Sequence, residues 1–441
     1  MDYLPNIIFT IALFVGIGFF ARNVKKLIRN IRLGRDVEVG DNKPQRWKNM
    51  AKIALGQTKM VVRPIAGLMH IIVYVGFIII NIEVLEIILD GILGTHRLFA
   101  PLGSAYNFLI GSFEILALLV IVAVVIFWIR RNVIKLARFI KPEMKGWPEK
   151  DGNMILYIEL VLMLLFLTMN AADFSLQQMG AEHYAAAGAF PVSQFIVPLF
   201  DGLSIPTIIG IERTAWWLHI LGILAFLNYL YYSKHLHILL AFPNTYYGKL
   251  KPQGEFDNLE AVTNEVKLMM DPSADPYAAP SDGATEPEKF GASDVMDLNW
   301  VQLLNAYTCT ECGRCTSECP ANQTGKKLSP RKIMMDTRDR LEEVGKNMDA
   351  NKGEFVPDGK QLLDDYISRE ELWACTTCNA CVQACPVSID PLSIIMEMRR
   401  FLVMEQSAAP LELNNMMGNL ENNGAPWPFN QMDRLNWAQE P

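Results

Sequence analysis

Apolar residues crowd the first 240 positions and thin out after them. Five runs are long enough to span a bilayer, which takes ~20 apolar residues in helical form. They lie near Pro5–Ala21, Pro64–Leu89, Tyr106–Ile129, Met154–Met169 and Thr214–Leu240, the fourth being the shortest. A further apolar stretch, Ala185–Ile211, is broken by Pro191, Pro198, Gly202 and Pro206. Irregular backbone of that kind lies at the membrane edge or re-enters rather than crossing. Downstream the period changes to that of short amphipathic helices, at Ser329–Val344, Gln361–Leu372 and Leu392–Met404.

Charge orients these runs. Arg22–Arg63 holds 12 Lys/Arg against Asp36, Glu38 and Asp41, and Arg130–Lys150 holds seven more. Asp90–Ala105 and Asn170–Arg213 carry one basic residue each, Arg97 and Arg213. Basic loops face the cytoplasm, so five crossings place the N-terminus outside and everything beyond about residue 241 inside. The basic loops are therefore read as topology signals, with no nucleic acid as partner. The first run is not a signal peptide: its leading residues carry Asp2 instead of basic charge, and no small-residue cleavage site follows. The expected location is a bacterial cytoplasmic (inner) membrane, multi-pass.

Composition narrows the class. The 441 residues are 51% hydrophobic and 20% charged, which excludes disorder for most of the chain. Lys251–Trp300 holds 11 acids and three bases, and Met270–Ser293 is rich in Pro, Asp, Ala and Gly. This stretch reads as a tether without a core of its own.

All eight cysteines fall in two clusters near the C-terminus, the wrong distribution for a secreted disulfide scaffold. Cys309, Cys312, Cys315 and Cys319-Pro320 form C-x-x-C-x-x-C-x-x-x-C-P, and Cys375, Cys378, Cys381 and Cys385-Pro386 repeat it. This is the run of two-cluster bacterial ferredoxins, in which three close cysteines hold one [4Fe–4S] cluster and the fourth ligates the other. The expected ligand sets are Cys309, Cys312, Cys315 with Cys385, and Cys375, Cys378, Cys381 with Cys319. Zinc prefers paired Cys-x-x-Cys sets. The expected fold is all-α: a five-helix transmembrane bundle plus an α-helical ferredoxin domain. Its expected divisions are 1–245 (membrane), 246–300 (acidic linker), 301–405 (ferredoxin) and 406–441 (partner-docking tail).

Polar groups within a membrane span usually have a function. His219 and His237 are 18 residues apart in the fifth run. On one straight helix that is five turns, which puts both on one face about 27 Å apart. Two imidazoles at two depths suit axial ligation of b-type haem. His70, about two turns into the second run, pairs with His237, and His235 is the rival for that role. His219 has no histidine opposite it at Ile80, which leaves His96 and His183 in outer loops as candidates. One haem b is supported and a second stays open. Glu159 is a candidate proton relay, whereas Glu83, Glu86 and Glu114 read as acids solvated at the interface.

The run His219-Ile-Leu-Gly, followed by Ser233-Lys-His-Leu-His237 and Pro243, resembles the last helix of the cytochrome b (gamma) subunit of respiratory nitrate reductase. Arg63-Pro-Ile-Ala-Gly-Leu-Met-His70 resembles the membrane part of heterodisulfide-reductase-like iron–sulfur oxidoreductases. That resemblance makes Arg63 a candidate partner for a haem propionate, the alternative being a topology-setting charge. The spacing around the cysteines resembles the iron–sulfur subunits of heterodisulfide reductase, anaerobic glycerol-3-phosphate dehydrogenase and succinate dehydrogenase. The tail from Met416 through Trp427 to Trp437 resembles the connector that precedes a Cys-rich catalytic module in heterodisulfide-reductase-like proteins. Here that module is expected on a separate subunit docked to the tail.

These likenesses imply a membrane electron-transfer subunit of a quinone-linked oxidoreductase. Its substrate chemistry would sit on the Cys-rich catalytic subunit, fed by an electron-transfer flavoprotein, with menaquinone as acceptor. A heterodisulfide-reducing complex and a membrane-tethered redox sensor are the alternatives.

Overall fold

The computed structural model describes residues 3–271 and 289–439. Among them the chain is all-α, with two isolated β-bridges and no named strand. Five helices are long and apolar enough to cross a membrane. They are α1 (Leu4–Ile31), α3 (Pro64–Leu93), α4 (Ser104–Asn132), α5 (Trp147–Gln178) and α6 (Ile205–Tyr229), with the short α2 (Lys43–Met50) between the first two. Proline at the first or second position starts α3, α5 and α6, where no backbone donor is lost. Gly94, at φ 75°, ends α3. The expected shortest span is the longest helix here, because the polar turns flanking Met154–Met169 continue the same helix at both ends. The proline-broken stretch forms two short 3-10 turns, Ser193–Phe195 and Val197–Phe200, and its last residues already belong to α6.

The fifth span differs from the straight helix expected over Thr214–Leu240. It stops at Tyr229, passes through 3-10 turns at Leu230–Tyr232 and Lys234–Leu236, and restarts as α7 (His237–Tyr246). Ser233 at the break is extended (φ −112°, ψ 146°). Asp151, buried on α5, accepts from the Tyr229 hydroxyl at 2.6 Å and from the Lys234 amide at 3.0 Å. Ser233 Oγ accepts from the His235 amide at 3.0 Å. The break is thus stabilised by groups that replace the lost helical bonds. His219 and His237 do not share one helix face.

The remaining helices are α8 (Glu260–Met270), α9 (Trp300–Thr308), α10 (Arg314–Glu318), α11 (Pro320–Gln323), α12 (Pro330–Ala350), α13 (Leu362–Asp365), α14 (Arg369–Trp373), α15 (Ala380–Ala384), α16 (Pro391–Met404) and α17 (Leu411–Asn423). The single helix expected over Gln361–Leu372 is two short turns, since Leu363 and Asp364 leave helical geometry. Ser329 and Asp390 cap α12 and α16, each followed by proline. Most of the expected tether, Met270–Ser293, lies outside the described residues. Its far end is not tether-like: Ala292, Val295 and Leu298 are buried in the C-terminal core.

That core is continuous with the membrane part. Leu27 of α1 and Leu230 and Leu236 of the break pack in one apolar cluster with Leu303, Ile333, Leu341 and Ile395. The backbone of Arg35 exchanges hydrogen bonds with Leu298 and Trp300 at 2.8 and 3.1 Å. A Cβ on Gly34 would lie 2.8 Å from that backbone, so the approach requires glycine.

Candidate iron–sulfur and histidine centre

The two cysteine runs repeat one backbone path. Glu311 and Thr377, at matching positions, are left-handed (φ 53° and 55°), as are Gly313 and Asn379 (φ 70° and 60°). Cys319 and Cys385 are both extended, each before a proline that disfavours helical geometry. The paths wrap two sites. Cys319, Cys375, Cys378 and Cys381 line one small cavity with Leu328, Pro330, Leu392 and Ile395. At the other, Cys315 has Cys312, Cys309 and Cys385 as its strongest thiol neighbours. The Cys375 and Cys385 sulfurs accept backbone amides of Thr377 and Ile389 at 3.4 and 3.3 Å. Among the described residues no three His, Cys, Asp or Glu side chains close on a single ion-sized point. A cubane asks for something else, since its ligands address four separate irons.

The site lined by Cys309, Cys312, Cys315 and Cys385 faces the bundle and is flanked by cations from both sides of the junction. Arg314 donates to the Lys59 and Met60 carbonyls at 2.8 and 3.2 Å. Lys59 Nζ reaches Ser388 Oγ at 3.1 Å, three residues past Cys385. Arg138 stacks on Phe139 at 4.8 Å, with Cys312 as its strongest electrostatic neighbour. Arg63 binds Ser317 Oγ and Glu318 Oε1, both at 2.8 Å, so it is engaged with the cysteine-bearing region. Glu311, 3% exposed, accepts from Lys234 of the helix break and from Arg338 of α12 at 2.8 Å. Burial alone raises the Glu311 carboxyl pKa, and the charges of Lys234 and Arg338 more than reverse this, for a net lowering.

His70 and His237 face each other. Their ring centroids are 6.4 Å apart, inclined by 40°. That gap suits two imidazoles addressing one metal ion from opposite sides, each nitrogen ~2 Å from it. His237 Nδ1 lies 3.0 Å from the Lys234 carbonyl, which fixes its tautomer and leaves Nε2 free. His70 Nδ1 is buried without a hydrogen-bond partner. His235 stands perpendicular to His237, and its Nε2 is 3.6 Å from Glu159 Oε1. His70 and His237 are therefore the imidazoles that would hold a haem, whereas the His235 ring faces Glu159.

His219 is separate from this pair. It is buried against Phe166, its Nδ1 3.0 Å from the Leu162 carbonyl. His96 packs on Tyr184 near Asp173, and His183 adopts a left-handed turn (φ 72°).

The far end of the bundle corrects a second expectation. Glu83, Glu86 and Glu114 are buried rather than solvated at an interface. Arg97 donates to Asp173 at 2.6 Å, Asn170 at 2.9 Å and Tyr106 at 3.1 Å. Tyr106 in turn donates to Glu86 at 2.9 Å, and Glu114 accepts the Val192 and Ser193 amides at 2.8 and 3.0 Å. The loops at this end fold over Glu86 and Glu114 and satisfy them, whereas Glu83 Oε2 is buried without a hydrogen-bond partner. A cavity of about 440 Å3, bounded by Glu83, His96, Arg97, Glu212, Trp216 and Trp217, remains there.

Sequence reasoning missed Lys59, Arg138, Arg314 and Glu311. The first two were present only as members of basic loops, and nothing local distinguishes them from other topology-setting charges. Glu311 and Gly313, inside the first cysteine run, hinted at the backbone path, but the charge partners of Glu311 are 27 and 77 residues distant.

Residues 308–389 match the 4Fe-4S dicluster domain family. The chain is 28% identical, over 98% of its length, to 61% of a probable iron-sulfur-binding oxidoreductase FadF of Bacillus subtilis. It is 26% identical, over 92% of its length, to 55% of EtfAB:quinone oxidoreductase of Syntrophomonas wolfei. A subunit of the ferredoxin/F(420)H(2)-dependent CoB-CoM heterodisulfide reductase of Methanosarcina acetivorans is 32% identical over 27% of this chain and 60% of its own length. The chain thus spans 55 to 61% of the two relatives that it matches almost from end to end. No solved structure matches. The chain is thus all-α among the described residues, has five helices long and apolar enough to cross a membrane, matches a 4Fe-4S dicluster domain over residues 308–389, and is similar to iron–sulfur electron-transfer oxidoreductases.

Proposed function

We propose that this chain is the membrane electron-transfer subunit of a quinone-linked oxidoreductase, in a bacterial cytoplasmic membrane. In this reading the N-terminus is outside and the iron–sulfur region is cytoplasmic. The observation that carries it is that the elements bearing the two donor sets are tied together: Lys234, three residues before His237, binds Glu311 inside the first cysteine run, and Arg314 of that run binds the Lys59 and Met60 carbonyls just ahead of the helix that carries His70, which faces His237. Cys309, Cys312, Cys315 and Cys385 hold one [4Fe–4S] cluster, and Cys375, Cys378, Cys381 and Cys319 hold the other. His70 and His237 hold haem b, which supplies one-electron exchange between the clusters and a lipid-soluble quinone. His237 is oriented by the Lys234 carbonyl, and Glu159 with His235 forms a proton-handling pair beside it. His219, packed against Leu162 and Phe166 with no histidine facing it, is given no second haem.

Coverage favours the quinone-linked reading over the heterodisulfide-reducing one. The quinone oxidoreductase relative aligns with 92% of the chain, bundle included, whereas the heterodisulfide reductase relative aligns with 27%. A Cys-rich catalytic module, supplied by an electron-transfer flavoprotein, docks on the tail. There Leu411, Phe429, Leu435 and Trp437 stay exposed, and Met432 is 88% exposed.

A reduced-minus-oxidised spectrum of anaerobically purified protein, with iron and sulfide assays, tests the reading. The expected result is a b-type signal with two clusters' worth of sulfide. His237→Ala should abolish the b-type signal and His235→Ala should retain it. A preparation lacking both porphyrin and sulfide refutes the proposal.

A further inference from the structure

The two cysteine sites differ sharply in the charge around them. Beside Cys309, Cys312, Cys315 and Cys385 stand three cations: Lys59, bonded to Ser388 three residues past Cys385; Arg138, whose Cβ would lie 3.2 Å from a Cβ on Gly313; and Arg314, which directly precedes Cys315. Their hydrogen-bond partners are neutral: the Ser388 hydroxyl for Lys59, and the Lys59 and Met60 carbonyls for Arg314. Arg138 Nε is buried with no hydrogen-bond partner at all. Glu311, the acid in this shell, is outnumbered by its two cationic partners, Lys234 and Arg338. Among the described residues, the cation held against the other site is Arg399, which donates to the Leu372 and Cys375 carbonyls. Asp390, the N-cap of α16 near Cys381, opposes its charge.

We infer that this cationic seat makes the membrane-proximal cluster the higher-potential one, so that electrons entering at the distal cluster run toward the bundle. The inference rests on the function proposed above and adds a direction and the residues that set it. Reduction of a [4Fe–4S] cluster adds one negative charge, and nearby fixed cations stabilise that state. Each transfer oxidises the distal cluster by one electron and reduces the proximal one by one. The electron comes from the cytoplasmic partner reductant and leaves through the His70/His237 centre to quinone. Solvent works the other way, since Cys378 is exposed and exposure raises a cluster's potential. The seat prevails because three cations without acidic hydrogen-bond partners lie in the poorly screened zone between bundle and cluster. Lys59 and Arg138 come from loops of the membrane part, so the bias exists only when the two parts are docked. They are positioning residues, since neither is a cluster ligand.

The test is an EPR-monitored redox titration of the full-length, cluster-loaded protein in detergent. Cys378→Ser identifies the distal signal. In the unaltered protein the distal cluster should titrate at the more negative potential. Lys59→Gln together with Arg138→Gln should lower the proximal cluster's reduced-to-oxidised ratio at least tenfold at fixed potential, about 59 mV for a one-electron couple. The distal cluster should stay put, and Lys59→Arg with Arg138→Lys should restore the proximal value. The inference is overturned if the unaltered clusters titrate together or in reverse order, or if removing the cations moves both signals or neither. Since the order is read without haem or quinone, its failure leaves the proposed function standing. Conversely, a protein with ordered clusters but no b-type signal defeats only that function.

Discussion

Glu311→Ala is the most informative single change at the junction of the two halves. The carboxylate is 3% exposed and joins Lys234 of the helix break to Arg338 of α12. Removing it leaves two largely buried cations with their second partners alone, Asp151 at 3.8 Å for Lys234 and Asp339 at 3.0 Å for Arg338, so the cost is at most that of a fully broken buried pair, about 3–5 kcal/mol. At about 1.4 kcal/mol per tenfold, that is roughly a hundredfold to a few thousandfold in the folding equilibrium. The comparison is Asp349→Ala. Asp349 also bridges the halves, binding Lys26 at 2.6 Å and Arg29, but all three side chains are about a third exposed. Such pairs contribute ~0.2–1 kcal/mol. Denaturant titration in detergent, followed by loss of cluster absorbance, measures both. Salt separates them further, because the screening length falls from about 8 Å at physiological strength to about 3 Å at 1 M. High salt should erase the Asp349 effect and leave most of the Glu311 effect. If Glu311→Ala costs no more than Asp349→Ala, the junction is not held by its buried charges and the reasoning is wrong.

Three further outcomes are expected. Arg97→Ala removes the donor shared by Asp173, Asn170 and Tyr106. It should destabilise the bundle by about 3–5 kcal/mol while leaving both cluster signals intact, as read by unfolding in detergent and by EPR. Hydrogen bonds from Lys26 and then Arg29 hold the Asp349 carboxyl below its ordinary value of 3.8. Its stabilisation is therefore complete above the unfolded-state pKa and fades as the pH falls through the lower folded value; Asp349→Asn should flatten that acid limb in proteolysis of the junction below about pH 4. Deleting residues 406–441 should leave visible and EPR spectra unchanged and abolish co-purification of the catalytic partner. An altered spectrum would mean that the tail supports the clusters.

How much of this was legible in the sequence depended on whether the signal was local. The cysteine runs fix ligand types and backbone path within a dozen residues each, so spacing alone pointed to the dicluster domain that the family match bears out. The five apolar helices were visible for the same reason, since bilayer crossing is a property of a contiguous run. The break at Ser233 was invisible because an acid on another helix stabilises it: Asp151 replaces hydrogen bonds that a straight α6 would have made for itself. The burial of Glu114 was hidden likewise, since the Val192 and Ser193 amides that it accepts come from 78 and 79 residues away. Charges that touch only after folding carry no local mark.

The interruption after Tyr229 has a mechanical meaning as well. Within five residues, the short ledge it creates carries Lys234, anchored in the cysteine-bearing region, and His237, facing His70. The spacing between the facing histidines and the cysteine-bearing region is therefore gauged by a bracket one helical turn long, not by the fifty-odd residues of acidic chain that join the halves covalently.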